Sequence, residues 1–390
     1  MNDRIYLDNA ATTPLKPEVL EVMLPYLTGN FGNPSGVYKE GRYAKAALDN
    51  SRTQVAKALN TNPKEIYFTG SGTEANNWAI LSFARANKHK GNHIITSVIE
   101  HHAVLHPCKQ LEKEGFLVTY LPVDKFGKVS VEDVEKAICD KTILITIMFA
   151  NNEIGTIQPI EEIGKIAFNR KIAFHTDAIQ AVDTIPLDVD KLGVSMMSIS
   201  AHKFGGPKGI GALYLRSGIN AGTIMHGGGQ ERNRRAGTEN VAAIAGFGTA
   251  IELAAKNIET KAARLKFLRD KLVEKVLSEI PDVIFNGHPT DRLVGNTNFC
   301  FKYIEGESLL LMLDLKGISA SSGSACTSGS LDPSHVLLAI GLEHEIAHGS
   351  LRLTLSEDIT EDDIDYTVEM LKDIVKRLRE MSPIAAEGSY

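Results

Sequence analysis

Cysteine is scarce in this chain: Cys108, Cys139, Cys300 and Cys326 are the only four among 390 residues. None forms a C-x-x-C pair, which argues against a zinc ribbon or a disulfide-built scaffold and fits a reducing, cytoplasmic setting. A dense Lys/Arg stripe is also lacking, and the formal net charge is -6, so nucleic acid is not an expected partner. No apolar run reaches the ~18 residues that a membrane span requires, so no membrane association is expected. The opening "MNDRIYLDNAATTP" has no apolar core after its basic residue and does not read as a secretion signal.

What is present is ordinary globular composition, 43% hydrophobic and 23% charged, at a length that favours two domains. From about residue 60 to 215, short β-rich runs alternate with helical patterns. The expected strands are "EIYFTG", "HIITSV", "LVTYLPV", "TILITIMFA", "KIAFHTDA", "VSMMSISA" and "IGALYLR". Such alternation predicts an α/β domain with a mostly parallel sheet covered on both faces, its last two strands forming a hairpin. A long helical pattern over roughly 240–280 leads into a smaller α+β part containing "NTNFCFKYI", "GESLLLMLDLKG", "GSLRLTLS" and "TEDDIDYTVEMLKDIVKRLREM".

Polar residues with chemical potential fall where apolar strands end. In "FTGSGTEANN" a strand gives way to a Gly/Ser/Thr turn and a helix start, with Ser71 and Glu74 at capping-box spacing. Free N–H groups and the helix dipole suit such a start to phosphate, although a well-capped helix alone explains the pattern equally well. Asp177 ends "KIAFHTD" and Lys203 follows "VSMMSISAHK", both where ligands bind in α/β sheets. An aspartate that keeps a pyridine nitrogen protonated and a lysine that forms a Schiff base are the groups pyridoxal phosphate (PLP) requires. His101 and His102 in "EHHAVL" and Asn152 in "NNEIGTIQP" follow two further strands. A histidine so placed suits stacking on a cofactor ring and proton transfer.

Cys326 sits in "SASSGSACTSGS", among serines, glycines and a threonine rather than the apolar neighbours of a buried structural cysteine. An accessible thiolate in a loop of small residues suits thiol chemistry. Cys108 and Cys139, in helical patterns, and Cys300, in an apolar strand, read as core. "HEIAH", His344 to His348, matches the H-E-x-x-H zinc pattern, but it runs into a strand without a third ligand at a known spacing and reads as accidental.

Taken in order, "YLDNAATTP", "FGNPS", "GSGTEANN", "EHHAVL", "NNEIGTIQP", "HTDAIQ", "SAHKFGGPKG", "RRAGTEN" and "SSGSACTSGSLDPSHVLLAIGL" resemble the NifS/IscS-type cysteine desulfurases over almost the whole chain. "RRAGTEN" and "ACTSGSLDPSHV" look more NifS-like, which hints at nitrogenase-related assembly. The resemblance implies a class V aminotransferase-like enzyme of PLP fold-type I (aspartate aminotransferase-like), with a large domain over 15–255. The small domain would combine 1–14 with 256–390 and carry the cysteine loop at about 320–335.

The resemblance also implies a homodimer that converts L-cysteine to L-alanine. A persulfide on Cys326 would pass to an iron–sulfur scaffold protein or other sulfur acceptor. Lys203 would be the Schiff-base lysine, Asp177 the partner of the pyridinium nitrogen and Gln180 that of the 3-oxygen, with His101 stacked on the ring. Gly72, Thr73, Ser200 and His202 would hold the phosphate, with Thr238 reaching in from the other subunit. Asn152, also counted among the cofactor-binding residues, and Arg352 would orient the substrate carboxylate, which the guanidinium fork can grip with two bonds. No protein-only metal site is expected, although Cys326 could share a transient iron–sulfur cluster with a scaffold. Selenocysteine lyase and cysteine sulfinate desulfinase are the nearest alternatives.

Overall fold

The computed structural model describes residues 4–256, 258–322 and 333–381. Cys326 therefore lies outside the described residues. In chain order the strands are β1 (Ile5–Tyr6), β2 (Ile66–Thr69), β3 (His93–Ser97), β4 (Leu117–Leu121), β5 (Thr142–Thr146) and β6 (Ala173–Asp177). There follow β7 (Met196–Ser200), β8 (Gly211–Leu215), β9 (Val283–Phe285), β10 (Asn296–Phe301), β11 (Ile318–Ser319) and β12 (Ser350–Thr354).

Seven strands build the main sheet in the order β2-β8-β7-β6-β5-β3-β4. Only β8 runs antiparallel to its neighbours, and it forms the expected hairpin with β7. Successive side chains serve opposite faces, as the period of two requires. Ile95, Ile145, Phe174 and Met197 belong to one apolar core, whereas Ile94, Leu144, Ala173 and Met196 belong to another. Helices cover both faces, which is why these strands read as continuous apolar runs rather than alternating ones.

A second body has its own core, made of Leu7 together with Leu265, Leu268, Phe299, Phe301, Leu351, Leu353 and Leu371 among others. Its sheet has the order β12-β10-β9 and is antiparallel. The first residues of the chain reach back into it: β1 pairs in parallel with β11, Ile5 opposite Ile318.

The helical stretch expected over 240–280 is two helices, Val241–Ala255 and Ile258–Glu279, bent by 73° relative to each other. The first is buried along most of its length within the large core, while the second faces the small one. No single helix among the described residues is long and apolar enough to cross a membrane. Cys108 and Cys300 are buried as expected, but Cys139 is exposed, because the helix Val131–Ala137 ends before it. "HEIAH" forms a five-residue helix, His344–His348, and no group of three His, Cys, Asp or Glu among the described residues is placed to hold a metal ion.

Candidate active site

The site forms where the ends of β6 and β7 meet the start of a helix. Asp177 is the last residue of β6 and is buried. Asn76 Nδ2 donates to one of its oxygens at 2.6 Å, and the Ile179 amide donates to the other at 3.1 Å. Burial pushes its carboxyl up from the usual range, while His101, these two donors and Lys203 pull it down. Its side-chain bond from Asn76 comes from a neutral amide, and a cationic N–H at this point would add to its surroundings.

Lys203 ends a single 3-10 turn, Ala201–Lys203, directly after β7. Its Nζ donates to the carbonyls of Ala10 at 2.6 Å and Ala11 at 2.8 Å. Gln180 donates to the same Ala10 carbonyl at 3.0 Å, and His202 meets the Thr12 hydroxyl at 3.2 Å. Burial and neighbouring lysines bring His202 down to about 4, so its ring is neutral at pH 7. The "NAATT" stretch thus forms a wall of the site, a role its sequence did not announce.

The helix that begins at Gly72 is capped by Ser71, whose hydroxyl accepts from the Glu74 amide at 3.1 Å. The Gly72 and Thr73 amides precede the first intrahelical acceptor and are available to an anion. The glycine is a packing necessity. A Cβ there would lie 2.2 Å from Ile179 Cδ1 and 3.2 Å from Ser200 Cβ, so only glycine lets the helix start close against the end of β7.

His101 caps the helix His102–Lys113, its Nδ1 accepting from the Ala103 amide at 3.0 Å. The proton of the neutral ring therefore sits on Nε2. Burial, assisted by Lys203 and opposed by Asp177, lowers its pKa and keeps it neutral. His101 shares an open recess of about 450 Å³ with Thr73, His102 and His106.

Arg352 lies on β12 and is 3% exposed. Its Nη2 donates to Asp8 at 2.8 Å and its Nη1 to the Asn152 carbonyl at 3.0 Å, while Nε is buried with no partner. A carboxylate would satisfy that third N–H. Asn152 thus contributes its backbone here, and Asn296 Nδ2 contacts the same carbonyl at 3.4 Å. A cavity of about 360 Å³ beside Lys203 and Gln180 is lined by Asn9 and Asn296, whose Oδ1 atoms are buried and unpartnered. Thr238 stands exposed ahead of the helix Val241–Ala255. Sequence reasoning missed Asp8 and Asn76, although both lie inside motifs that the resemblance used.

Residues 5–367 match the model of the aminotransferase class-V family. The chain belongs to that family. It is 58% identical over 383 residues to a protein of Methanosarcina thermophila named cysteine desulfurase IscS, covering 98% of this chain and 95% of that one. A protein of the same name from Clostridium botulinum is 57% identical over 387 residues, covering 98% and 97% respectively. Among solved structures, a NifS-like protein superposes with a TM-score of 0.91 at 37% identity, covering 96% of this chain and all, 100%, of the other. SspA in complex with cysteine gives a TM-score of 0.80 at 39% identity, covering 90% of this chain and 98% of that one. The mostly parallel α/β fold of class V aminotransferases is therefore present throughout, and both the IscS and the NifS names occur among its relatives.

Proposed function

We propose that this chain is a PLP-dependent cysteine desulfurase, which takes sulfur from L-cysteine, leaves L-alanine and holds the sulfur as a persulfide on Cys326. The observation that carries the proposal is the meeting of Asp177, Lys203 and His101 at one sheet rim, on a chain 58% identical to a protein named cysteine desulfurase.

The residues present suit the cofactor. Asp177 is a buried carboxylate aimed by Asn76 and the Ile179 amide, and the closely approached helix start at Gly72 offers amides to a phosphate. Lys203 would hold PLP covalently through Nζ, Gln180 would bond its 3-oxygen, and Ser200, His202 and Thr73 would join Gly72 at the phosphate. When bound, PLP supplies an electron-poor ring that makes the α-proton of an amino acid labile. Arg352, through its unpartnered Nε, and Asn152 would hold the substrate carboxylate. His101 would face the ring and donate from Nε2.

The Cys326 thiolate then attacks the substrate sulfur. An S–S bond forms as the Cβ–S bond breaks, its electron pair stays with carbon, and a proton taken up there completes alanine. The Ser322 carbonyl accepts from Ser350 Oγ at 3.0 Å, two residues from Arg352. The segment that carries Cys326 in the sequence therefore begins beside the strand of Arg352.

The domain division at 15–255, with 1–14 joining 256–390, is supported by the two apolar cores, with Leu293 packing into the larger one. A homodimer is supported by the apolar side chains left in solvent near the N-terminus, including Leu27 at 60%, Phe31 at 79% and Val37 at 89% exposure. Across that dimer Thr238 would reach the neighbouring phosphate. Delivery to an iron–sulfur scaffold, in a reducing cytoplasm that keeps the thiol free, completes the reading.

The test is an absorbance spectrum of the PLP-bound protein before and after L-cysteine, with peptide mass spectrometry of Cys326. A shifted band, alanine and a one-sulfur mass gain on that peptide are expected; no mass gain overturns the assignment. Cys326→Ala should lose activity on cysteine. Full activity of that variant on cysteine sulfinate or selenocysteine alone would favour the desulfinase or lyase alternatives.

A further inference from the structure

Ser334 is the second described residue after the Cys326 segment, and it is 4% exposed. Its hydroxyl accepts from the amides of Val336 at 3.1 Å and Leu337 at 3.3 Å, capping the helix His335–Ala339. Its one proton goes elsewhere, to Oε2 of Glu153 at 2.5 Å. Glu153 is 5% exposed and directly follows Asn152, whose carbonyl receives Arg352. Its own carbonyl accepts from Asn298 at 3.2 Å, and its amide donates to Asn151 at 2.9 Å.

The next residue is anchored in the same way. His335 Nε2 donates to the carbonyl of Glu100 at 3.0 Å, and Glu100 directly precedes His101. The His335 ring also packs against His102 at 5.0 Å. On the other side of the segment, Ser321 exchanges backbone bonds with Arg352, at 2.6 and 3.3 Å. Each root of the Cys326 segment is thus fastened to a residue that neighbours, or is, a proposed active-site group. A helix cap needs only the hydroxyl oxygen of Ser334. A buried glutamate from the large domain is not required for capping, and burying a carboxylate is costly unless it is bonded.

Resting on the desulfurase reading above, we propose that Glu153 and Ser334 are positioning residues for sulfur transfer: their bond fixes the C-terminal root of the Cys326 segment to the substrate-binding loop. Its loss slows the attack of Cys326 on substrate sulfur while leaving substrate binding in place.

Ser334→Asp separates this role from capping, since aspartate caps a helix start as well as serine but has no proton to offer Glu153 and repels it. The double variant Glu153→Gln with Ser334→Asp restores a donor–acceptor pair. In the PLP-bound protein, S334D should show the L-cysteine-induced absorbance change at the normal rate. Its persulfide formation on Cys326 should fall about tenfold or more, as misplaced reacting groups do. The double variant should recover to within about threefold of the unaltered protein on the same measure.

The second readout needs no turnover. Iodoacetamide labelling of Cys326 in the cofactor-free protein, resolved by peptide because Cys139 is exposed, should speed up at least about threefold in S334D and return in the double variant. Should S334D fail to fold, Ser334→Ala replaces it, with Ser334→Thr as the variant that keeps the hydroxyl. Equal slowing of the absorbance change and persulfide formation, or unchanged labelling, overturns the tether. Because labelling is independent of turnover, a failure of the desulfurase reading would show separately, as an absent persulfide in the unaltered protein.

Discussion

The two bodies of this molecule hold their proposed functional groups in different ways. In the seven-stranded body, Asp177 and Lys203 sit at or just beyond the ends of strands paired on both sides, and the backbone beneath them is fixed by sheet bonds. In the three-stranded body, Arg352 also lies on a strand, but its fork is aimed by bonds that cross between bodies, to Asp8 and to the Asn152 carbonyl. The roots of the Cys326 segment likewise hang on side-chain bonds to the large body, from Ser334 to Glu153 and from His335 to the Glu100 carbonyl. Groups assigned to the cofactor are thus rigid by fold, and groups assigned to substrate and sulfur are placed by contact. Damage to the first should abolish chemistry, whereas damage to the second should misplace it.

Four experiments bear on that contrast, beginning with the largest effect. Lys203→Ala should lower alanine formation by at least about 10³-fold and remove the lysine-bound cofactor band, since Lys203 is the residue proposed to hold the cofactor; appreciable turnover would erase the distinction. Asp177→Asn should cost about 10²–10³ in kcat with little change in KM, measured by alanine release, because it removes the buried carboxylate proposed to face the ring.

Arg352→Lys should act oppositely. The KM for L-cysteine should rise about 30-fold, corresponding to about 2 kcal/mol for a lost charge-assisted bond from a buried guanidinium, while the cofactor spectrum stays intact. A fall in kcat with unchanged KM would place Arg352 with the rigid group.

The smallest effect concerns stability against pH. Glu100 is fully enclosed, and burial pushes its carboxyl up to about 8 from 4.5. The folded chain therefore binds this proton more tightly than the unfolded chain does. Its contribution is fully present below pH 4.5 and is lost as pH rises toward 8. The melting temperature of the unaltered protein should decline between pH 6 and 8.5, and Glu100→Gln, which keeps an acceptor for Ser97 and the Met148 amide, should flatten that decline. A parallel decline in both would assign the trend to other groups.

The sheet, its hairpin and the rim residues were legible in the sequence for a physical reason. A strand covered on both faces is uniformly apolar, so the first polar residue past its end stands out, as Asp177 and Lys203 do. The break between Ala255 and Ile258 was hidden because the helical pattern continues across it, with one helix facing each core. Asp8 meeting Arg352 and Glu153 meeting Ser334 were also invisible. Each joins residues far apart in the chain, and nothing in either local pattern carries information about the other. The exposure of Cys139 followed from where one short helix happens to stop.

The wall that covers Lys203 is made from the first dozen residues, and the strand leading into it is paired only when Ile318 arrives opposite Ile5. During synthesis on the ribosome, that leading segment emerges first and must wait for nearly the whole polypeptide before it has anything to pair with. Closing so long a loop is the slow kind of folding event. The wall itself is bonded to Lys203 and Gln180 of the large body, so it is β1 that waits for β11. The first strand of the chain is therefore one of the last to meet its sheet partner as the polypeptide is made.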